Sequence, residues 1–236
     1  MRRSIGLLTY TNVVGKQQVG IANAIQYDGL FIVATAAHCV FDWEARAFNT
    51  DISFRPMVTR AGSVFKAREI AVHRGWATQA IVDYDTAFIK LDISDDEAIA
   101  TVSPSKVRFD LPRGLEYHVI GVHRRLTSWQ LVQFYDGAES DVAARSTLQS
   151  VRAKPRRGMS GGPWFLNDGG QPIQNSVTSL TFGSSPSRLF GPYWGAEVER
   201  ICSSLCTTSE NADVVMWTRW SGHCEIGEKY IEGGES

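Results

Sequence analysis

Short apolar runs separated by turn residues recur along this chain, and long helical periodicity is rare. Gly20-Ile21-Ala22-Asn23-Ala24-Ile25-Gln26-Tyr27 alternates and then meets Asp28-Gly29, a dipeptide favoured in two-residue hairpin turns. Leu30-Phe31-Ile32-Val33-Ala34-Thr35 reads as the returning strand. Ile52 to Arg55 and Val64 to Val72 read as further strands. The acidic stretch Asp92 to Glu97 reads as a solvated linker at a domain junction. Beyond it the strand pattern resumes at Glu116 to Val122, Trp129 to Tyr135 and Val177 to Gly183. Only Val198 to Leu205 carries apolar residues at i, i+3 and i+7, the mark of a short amphipathic helix. Many short strands and few helices predict an all-β chain.

Composition narrows the class. The 236 residues suffice for one large domain or two small ones, and 43% hydrophobic residues, with eleven Phe, seven Trp and seven Tyr, supply a core. A net charge of −1 sets up no global field for nucleic acid or an anionic membrane. No apolar run approaches the length of a membrane-spanning helix. Arg2 and Arg3 are followed by too short an apolar stretch for a signal peptide, so the expected location is cytoplasmic, or secreted if an export signal has been removed. Cys202 and Cys206 share one helix face. With His223 and Cys224 they offer zinc-ligand types, but the spacing matches no recognised zinc pattern. Structural thiols or one disulfide are expected there, and no metal or cofactor is assigned.

Three segments carry chemistry: Val33-Ala34-Thr35-Ala36-Ala37-His38-Cys39, Asp83-Tyr84-Asp85-Thr86-Ala87-Phe88-Ile89-Lys90-Leu91, and Gly158-Met159-Ser160-Gly161-Gly162-Pro163. Serine hydroxyl is a weak nucleophile until a neighbouring base takes its proton, and histidine titrates in the right range to do so. A carboxylate behind the imidazole fixes its tautomer. The order His, Asp, Ser is that of double β-barrel serine proteases. Together the segments resemble the trypsin/chymotrypsin-like serine protease superfamily, of a bacterial or intracellular type, over roughly Gly6 to Leu205.

That resemblance implies two six-stranded antiparallel Greek-key β-barrels with the active site in the cleft between them and a short C-terminal helix. Residues 1–111 would carry His38 and Asp85, residues 112–205 would carry Ser160, and residues 206–236 have no counterpart. The implied triad is His38, Asp85 and Ser160, with the backbone N–H groups of Gly158 and Ser160 as the oxyanion hole. The family pattern of an acid, two hydrophobic or small residues and then Ile-Lys-Leu selects Asp85 over Asp83, which reads as a loop residue. His73, His118, His123 and His223 read as surface or structural. Cys39 stands at one end of a bridge common in secreted relatives, but no cysteine precedes it, so a buried free thiol is expected.

The chain departs from the family at the residue before the nucleophile. Met159 replaces an aspartate that pairs with a new N-terminal amine in zymogen-activated relatives, so activation by cleavage is not expected. Six residues before the nucleophile, at the position that implies the floor of the S1 pocket, stands Lys154 among Arg152, Arg156 and Arg157. A pocket lysine would favour an acidic P1 residue, and a lysine turned to solvent would not. Thr181-Phe182-Gly183 resembles the segment that pairs with substrate backbone.

The implied function is a serine endopeptidase acting through an acyl-enzyme, with a polypeptide substrate and no membrane or nucleic acid partner. Three alternatives stand beside it. Gly158-Met159-Ser160-Gly161-Gly162 also fits an α/β-hydrolase elbow, with Asp168 or Asp213 and His223 as partners, but the parallel sheet and crossover helices of that fold are not evident. A catalytically idle protease-like binding module would not need the intact triad. A nucleic-acid binder using Arg152, Lys154, Arg156 and Arg157 would lack interleaved aromatics.

Overall fold

The computed structural model describes residues 3–57, 63–125, 128–137, 146–166, 171–207 and 211–219. The first half contributes β1 (Ile5–Thr11), β2 (Gln17–Tyr27), β3 (Leu30–Thr35), a small hairpin of β4 (Phe41–Asp42) and β5 (Ala47–Phe48), β6 (Thr50–Pro56) and β7 (Phe65–His73). Helix α1 (Arg74–Gln79), β8 (Ala87–Leu91), α2 (Asp95–Thr101) and β9 (Ser105–Val107) follow. The second half contributes β10 (Glu116–Arg125), β11 (Ser128–Gly137), β12 (Gln149–Arg152), β13 (Pro163–Leu166), β14 (Ile173–Val177), β15 (Arg188–Gly191), α3 (Ala196–Ser204) and β16 (Val214–Thr218).

Six antiparallel strands in the order β1-β6-β7-β8-β3-β2 close on themselves, because β2 pairs back to β1 from Ile5↔Asn23 to Thr11↔Gln17. Closure leaves no free sheet edge along these pairings. The β2–β3 turn is the Asp28-Gly29 hairpin, with φ of 48° and 79°, the two successive positive values that match strand twist. The barrel interior holds Leu8, Ala22, Phe31, Val33, Phe54, Ile70, Val72 and Ile89. In the second half β14-β13-β10-β11 form one antiparallel run and β12 pairs β15, around Tyr117, Val119, Val151, Met159, Trp164 and Leu189. Strand β9 joins the halves by pairing in parallel with β2 on one side and β14 on the other. Ile5, Leu7 and Ile21 pack there against Ile120, Val122 and Phe165. The expected all-β, double-barrel architecture with a late short helix is what the molecule adopts.

Three details differ from the sequence reading. The acidic stretch is not a linker: Asp95, Asp96 and Glu97 form the first turn of α2, and the Ser94 hydroxyl accepts the Glu97 N–H at 3.4 Å. Carboxylates there complement the helix dipole, and Ser-x-x-Glu is an N-terminal signature. Residues beyond Val177 do not continue the strand. Leu180 bridges Phe190, while the neighbouring Ser179 side chain turns to another partner. Finally, Val214 to Thr218 forms β16, which pairs antiparallel with β7 from Val214↔His73 to Thr218↔Glu69. Val214 and Val215 are buried by this pairing. No helix among the described residues is long and apolar enough to cross a membrane.

Candidate active site

Strand β3 ends at Thr35, whose hydroxyl donates to the Ile21 carbonyl at 2.7 Å and ties the strand end to β2. The chain then makes one 3-10 turn, Ala37–Cys39. Ala36, Ala37, Cys39 and Val40 are fully buried, and only the His38 side chain, 31% exposed, faces out. A second 3-10 turn, Val82–Tyr84, precedes β8 and delivers Asp85 opposite it. Asp85 is 1% exposed. A buried carboxylate must be compensated by donors, and Asp85 has three. Its Oδ1 accepts the His38 backbone N–H at 2.9 Å, and its Oδ2 accepts the His38 Nδ1–H at 2.8 Å and the Ser179 hydroxyl. The carboxylate requires a proton on Nδ1, which leaves Nε2 of the neutral ring as an acceptor.

The pair perturbs both titrations. Burial alone would lower the His38 pKa, but the Asp85 charge and hydrogen bond outweigh it and hold the pKa well above the ordinary value. Burial alone would raise the Asp85 pKa. The His38 charge, with hydrogen bonds from His38 and Ser179, pulls it below the usual carboxylate range.

The Ser160 loop is seated on the first barrel. The Ser160 carbonyl accepts the Ile21 N–H at 2.8 Å. Gly161 donates to the Thr178 carbonyl and Gly162 accepts from Thr178, both at 2.8 Å. Gly161 has φ +78°, and a Cβ there would stand 2.1 Å from the Ile21 carbonyl oxygen and 2.3 Å from Thr35 Oγ1. Only glycine fits so tight a left-handed turn. Gly158, at φ +86°, aims the preceding peptide. Among the described residues no acceptor takes the backbone N–H of Gly158 or of Ser160. Met159 is buried against Gly121 in the second-half core, so the loop is anchored by packing at the position where an ion pair would require an acid.

Beside this loop, Arg152, Lys154, Arg156 and Arg157 are exposed. Ala153 donates to the Ser187 carbonyl at 2.9 Å, and Thr181 Oγ1 donates to the Arg188 carbonyl at 3.0 Å. Phe182 meets Phe190 edge-on at 4.8 Å. Segments 152–154, 181–183 and 187–190 therefore converge on one another, with Thr181 and Gly183 exposed.

The other singled-out residues lie apart from this arrangement. His73 accepts the Gly75 N–H on Nδ1 at 2.9 Å and stacks on Tyr84 at 3.7 Å. His118 Nε2 bonds the Gln133 side chain at 3.0 Å. Asp213 lends its carbonyl to Arg74 N–H. Cys39 is a buried free thiol, and Cys202 and Cys206 are free. Asp168, His223, Cys224 and the His123 side chain lie outside the described residues, among which no cluster of three or more metal-ligating side chains occurs. Two contributors escaped the sequence reading. Ser179 is one; nothing in its polar surroundings, Gln174 to Thr181, singles it out. Trp76 is the other; its buried ring lies 6.4 Å from the His38 ring and donates Nε1–H to the Phe41 carbonyl at 3.4 Å.

The sequence pattern of the trypsin-like peptidase domain matches residues 20–173. The chain belongs to the trypsin-like peptidase family. The protease is a serine endopeptidase, a hydrolase of peptide bonds. It is similar to the protease Anisep from Arthrobacter nicotinovorans, with 27% identity over 86% of this chain and 94% of that one and a TM-score of 0.76. It is equally similar to the thermostable serine protease AL20 from an extremophilic microorganism, with 28% identity over 88% and 99% of the two chains and a TM-score of 0.76. A Glu endopeptidase shares the fold at 16% identity, over 86% and 90% of the two chains, with a TM-score of 0.71. No curated protein matches the chain.

Proposed function

We propose that this protease cleaves polypeptides with Ser160 as nucleophile, His38 as general base and acid, and Asp85 as the acid that orients and stabilises His38. The observation that carries the reading is the grip of Asp85 on both the backbone N–H and the Nδ1–H of His38, which leaves Nε2 to take a proton. Ser160 Oγ attacks the scissile carbonyl carbon and its proton passes to Nε2. The tetrahedral oxyanion then meets the two N–H groups of Gly158 and Ser160, which no acceptor among the described residues occupies. Collapse breaks the C–N bond as His38 returns the proton to the leaving amine, and water repeats the sequence on the acyl-enzyme. The raised His38 pKa fits this cycle, because Asp85 stabilises the imidazolium that forms in it.

The exposed Lys154, flanked by Arg152, Arg156 and Arg157, supports a preference for Asp or Glu at P1. Thr181, Phe182 and Gly183 form the neighbouring wall. A fluorophosphonate probe and a peptide library test both levels. Wild type should label at Ser160, and Ser160→Ala should neither label nor cleave. Lys154→Glu should depress cleavage after acidic residues. An active Ser160→Ala enzyme would reject the nucleophile, and an apolar or basic P1 profile in the wild type would reject the acidic pocket.

A further inference from the structure

The two halves of the site sit on different halves of the molecule, and the bonds from Ser179 to Asp85 and from Ile21 to the Ser160 carbonyl are polar bridges between them already described. A further bridge lies two residues before Asp85. Asp83, in the 3-10 turn that delivers Asp85, reaches across to residues 146 and 147. Its Oδ1 accepts the Thr147 hydroxyl at 2.7 Å, the Thr147 backbone N–H, and the Ser146 hydroxyl at 3.1 Å. Its Oδ2 lies 3.2 Å from the same Ser146 hydroxyl. From the other side the Arg113 guanidinium donates to the Thr147 carbonyl, so Thr147 is held at both ends of its backbone. Arg113 is itself set over the Tyr193 ring at 5.3 Å. Ser146 Oγ also accepts the Leu148 N–H at 3.2 Å, and β12 begins at the next residue. That strand runs into the Arg152 to Arg157 loop and on to Ser160.

We propose that Asp83 is a positioning residue: it clasps the Ser146-Thr147 segment and so keys the turn bearing Asp85 to the strand that leads to Ser160. The inference rests on the triad reading above. Among the described residues Asp83 pairs with no cation. Its partners are hydroxyls and a peptide N–H, which are directional in a way that a surface ion pair is not. Asp85 Oδ2 has to stay within reach of His38 Nδ1 on its own half and of Ser179 Oγ on the other. Thr86, the next residue, also accepts the Trp194 Nε1–H at 3.0 Å, and a turn held at Asp83 as well as at Asp85 and Thr86 has less freedom to pivot than one held at its C-terminal end alone.

The test measures kcat and KM per active site, titrated with the fluorophosphonate probe, well below the unfolding temperature. A misplacement of about 1 Å can cost roughly a hundredfold in rate, and a turn still held by Ser179 moves less, so Asp83→Ala should lower kcat about tenfold with KM within about twofold. Asp83→Asn retains an oxygen for the Thr147 N–H and should recover most of the loss. Ser146→Ala with Thr147→Val removes the side-chain donors from the opposite face and should not add to Asp83→Ala in a double-mutant cycle. This pair also serves if Asp83→Ala fails to fold. The downfield proton resonance of the His38–Asp85 hydrogen bond should broaden in Asp83→Ala and return in Asp83→Asn. A wild-type kcat per titrated site in Asp83→Ala, even with a lower Tm, would overturn the proposal, as would additive losses in the cycle. A wild type that does not label at all would instead overturn the triad reading beneath it.

Discussion

Asp85→Asn is the sharpest probe of the arrangement, because it keeps shape and volume and changes only which atoms donate. In the native protease Oδ1 accepts the His38 backbone N–H, while Oδ2 accepts the Nδ1–H and the Ser179 hydroxyl. An asparagine retains one oxygen. The backbone N–H cannot rotate or tautomerise, so it claims that oxygen. The amide nitrogen then faces Nδ1 and Ser179 Oγ as a donor. The serine hydroxyl can turn to accept. The imidazole can accept only by moving its proton to Nε2, and that tautomer cannot take a proton from Ser160. Loss of the orienting carboxylate in such a triad costs roughly 10⁴-fold in kcat, about 5 kcal/mol. The carboxylate charge is also what overcomes burial and raises the His38 pKa. Without it the largest contribution opposing burial is gone, and the acid limb of the kcat/KM profile should move to lower pH. The assay is peptide hydrolysis per titrated site, pH 4 to 10, beside Asp83→Asn as the control for a neighbouring lost charge. An Asp85→Asn enzyme within about tenfold of wild type, or one less damaged than Asp83→Asn, would refute the tautomer argument.

Gly161→Ala forces a Cβ to within 2.1 Å of a fixed carbonyl at positive φ and should abolish probe labelling, with a stability loss above about 2 kcal/mol. Gly15→Ala, also at positive φ but with nothing within 4 Å, should cost about 1 kcal/mol and leave activity intact; equal behaviour of the two in thermal melts and labelling would contradict the contact geometry. His73 should make the fold acid-sensitive. Burial lowers its pKa below 6.5, so the unfolded chain binds the proton first, and stability is full above 6.5 and lost as pH falls toward the folded value. His73→Asn keeps a cap acceptor for Gly75, so its melting temperature should fall less over that interval; parallel curves for the two proteins would refute the assignment.

What the sequence made legible was local. Asp28-Gly29 announces its turn because the backbone requirement and the residues that meet it are adjacent. His38, Asp85 and Ser160 stand in short segments whose apolar flanks are the strands that place them. The acidic stretch is local too: Ser94 and Glu97 carry the helix signature, and charge that reads as solvation there caps a turn. The rest was not written locally. Ser179 bonds a residue 94 positions earlier, Asp83 bonds one 64 positions later, and β16 finds its partner in β7 of the first barrel. A single hydroxyl or a four-residue apolar run has no partner visible until the halves are docked.

The site and the docking are also one energetic problem. Asp85 is almost without solvent, so its charge is tolerable only while all three donors stay aligned. Two of them come from His38 on the same barrel. The third, Ser179, arrives only when the second half is seated, and the same seating brings Ser160 onto Ile21 and Gly161 against Thr35. A chain with the first barrel formed and the second displaced would hold a buried carboxylate short of a donor and a histidine apart from Ser160. The buried Asp85 charge that raises the His38 pKa against desolvation therefore also selects the assembled molecule. Changes at the interface of the halves, far in sequence from the proposed triad, should appear first as losses of rate and only later as losses of fold.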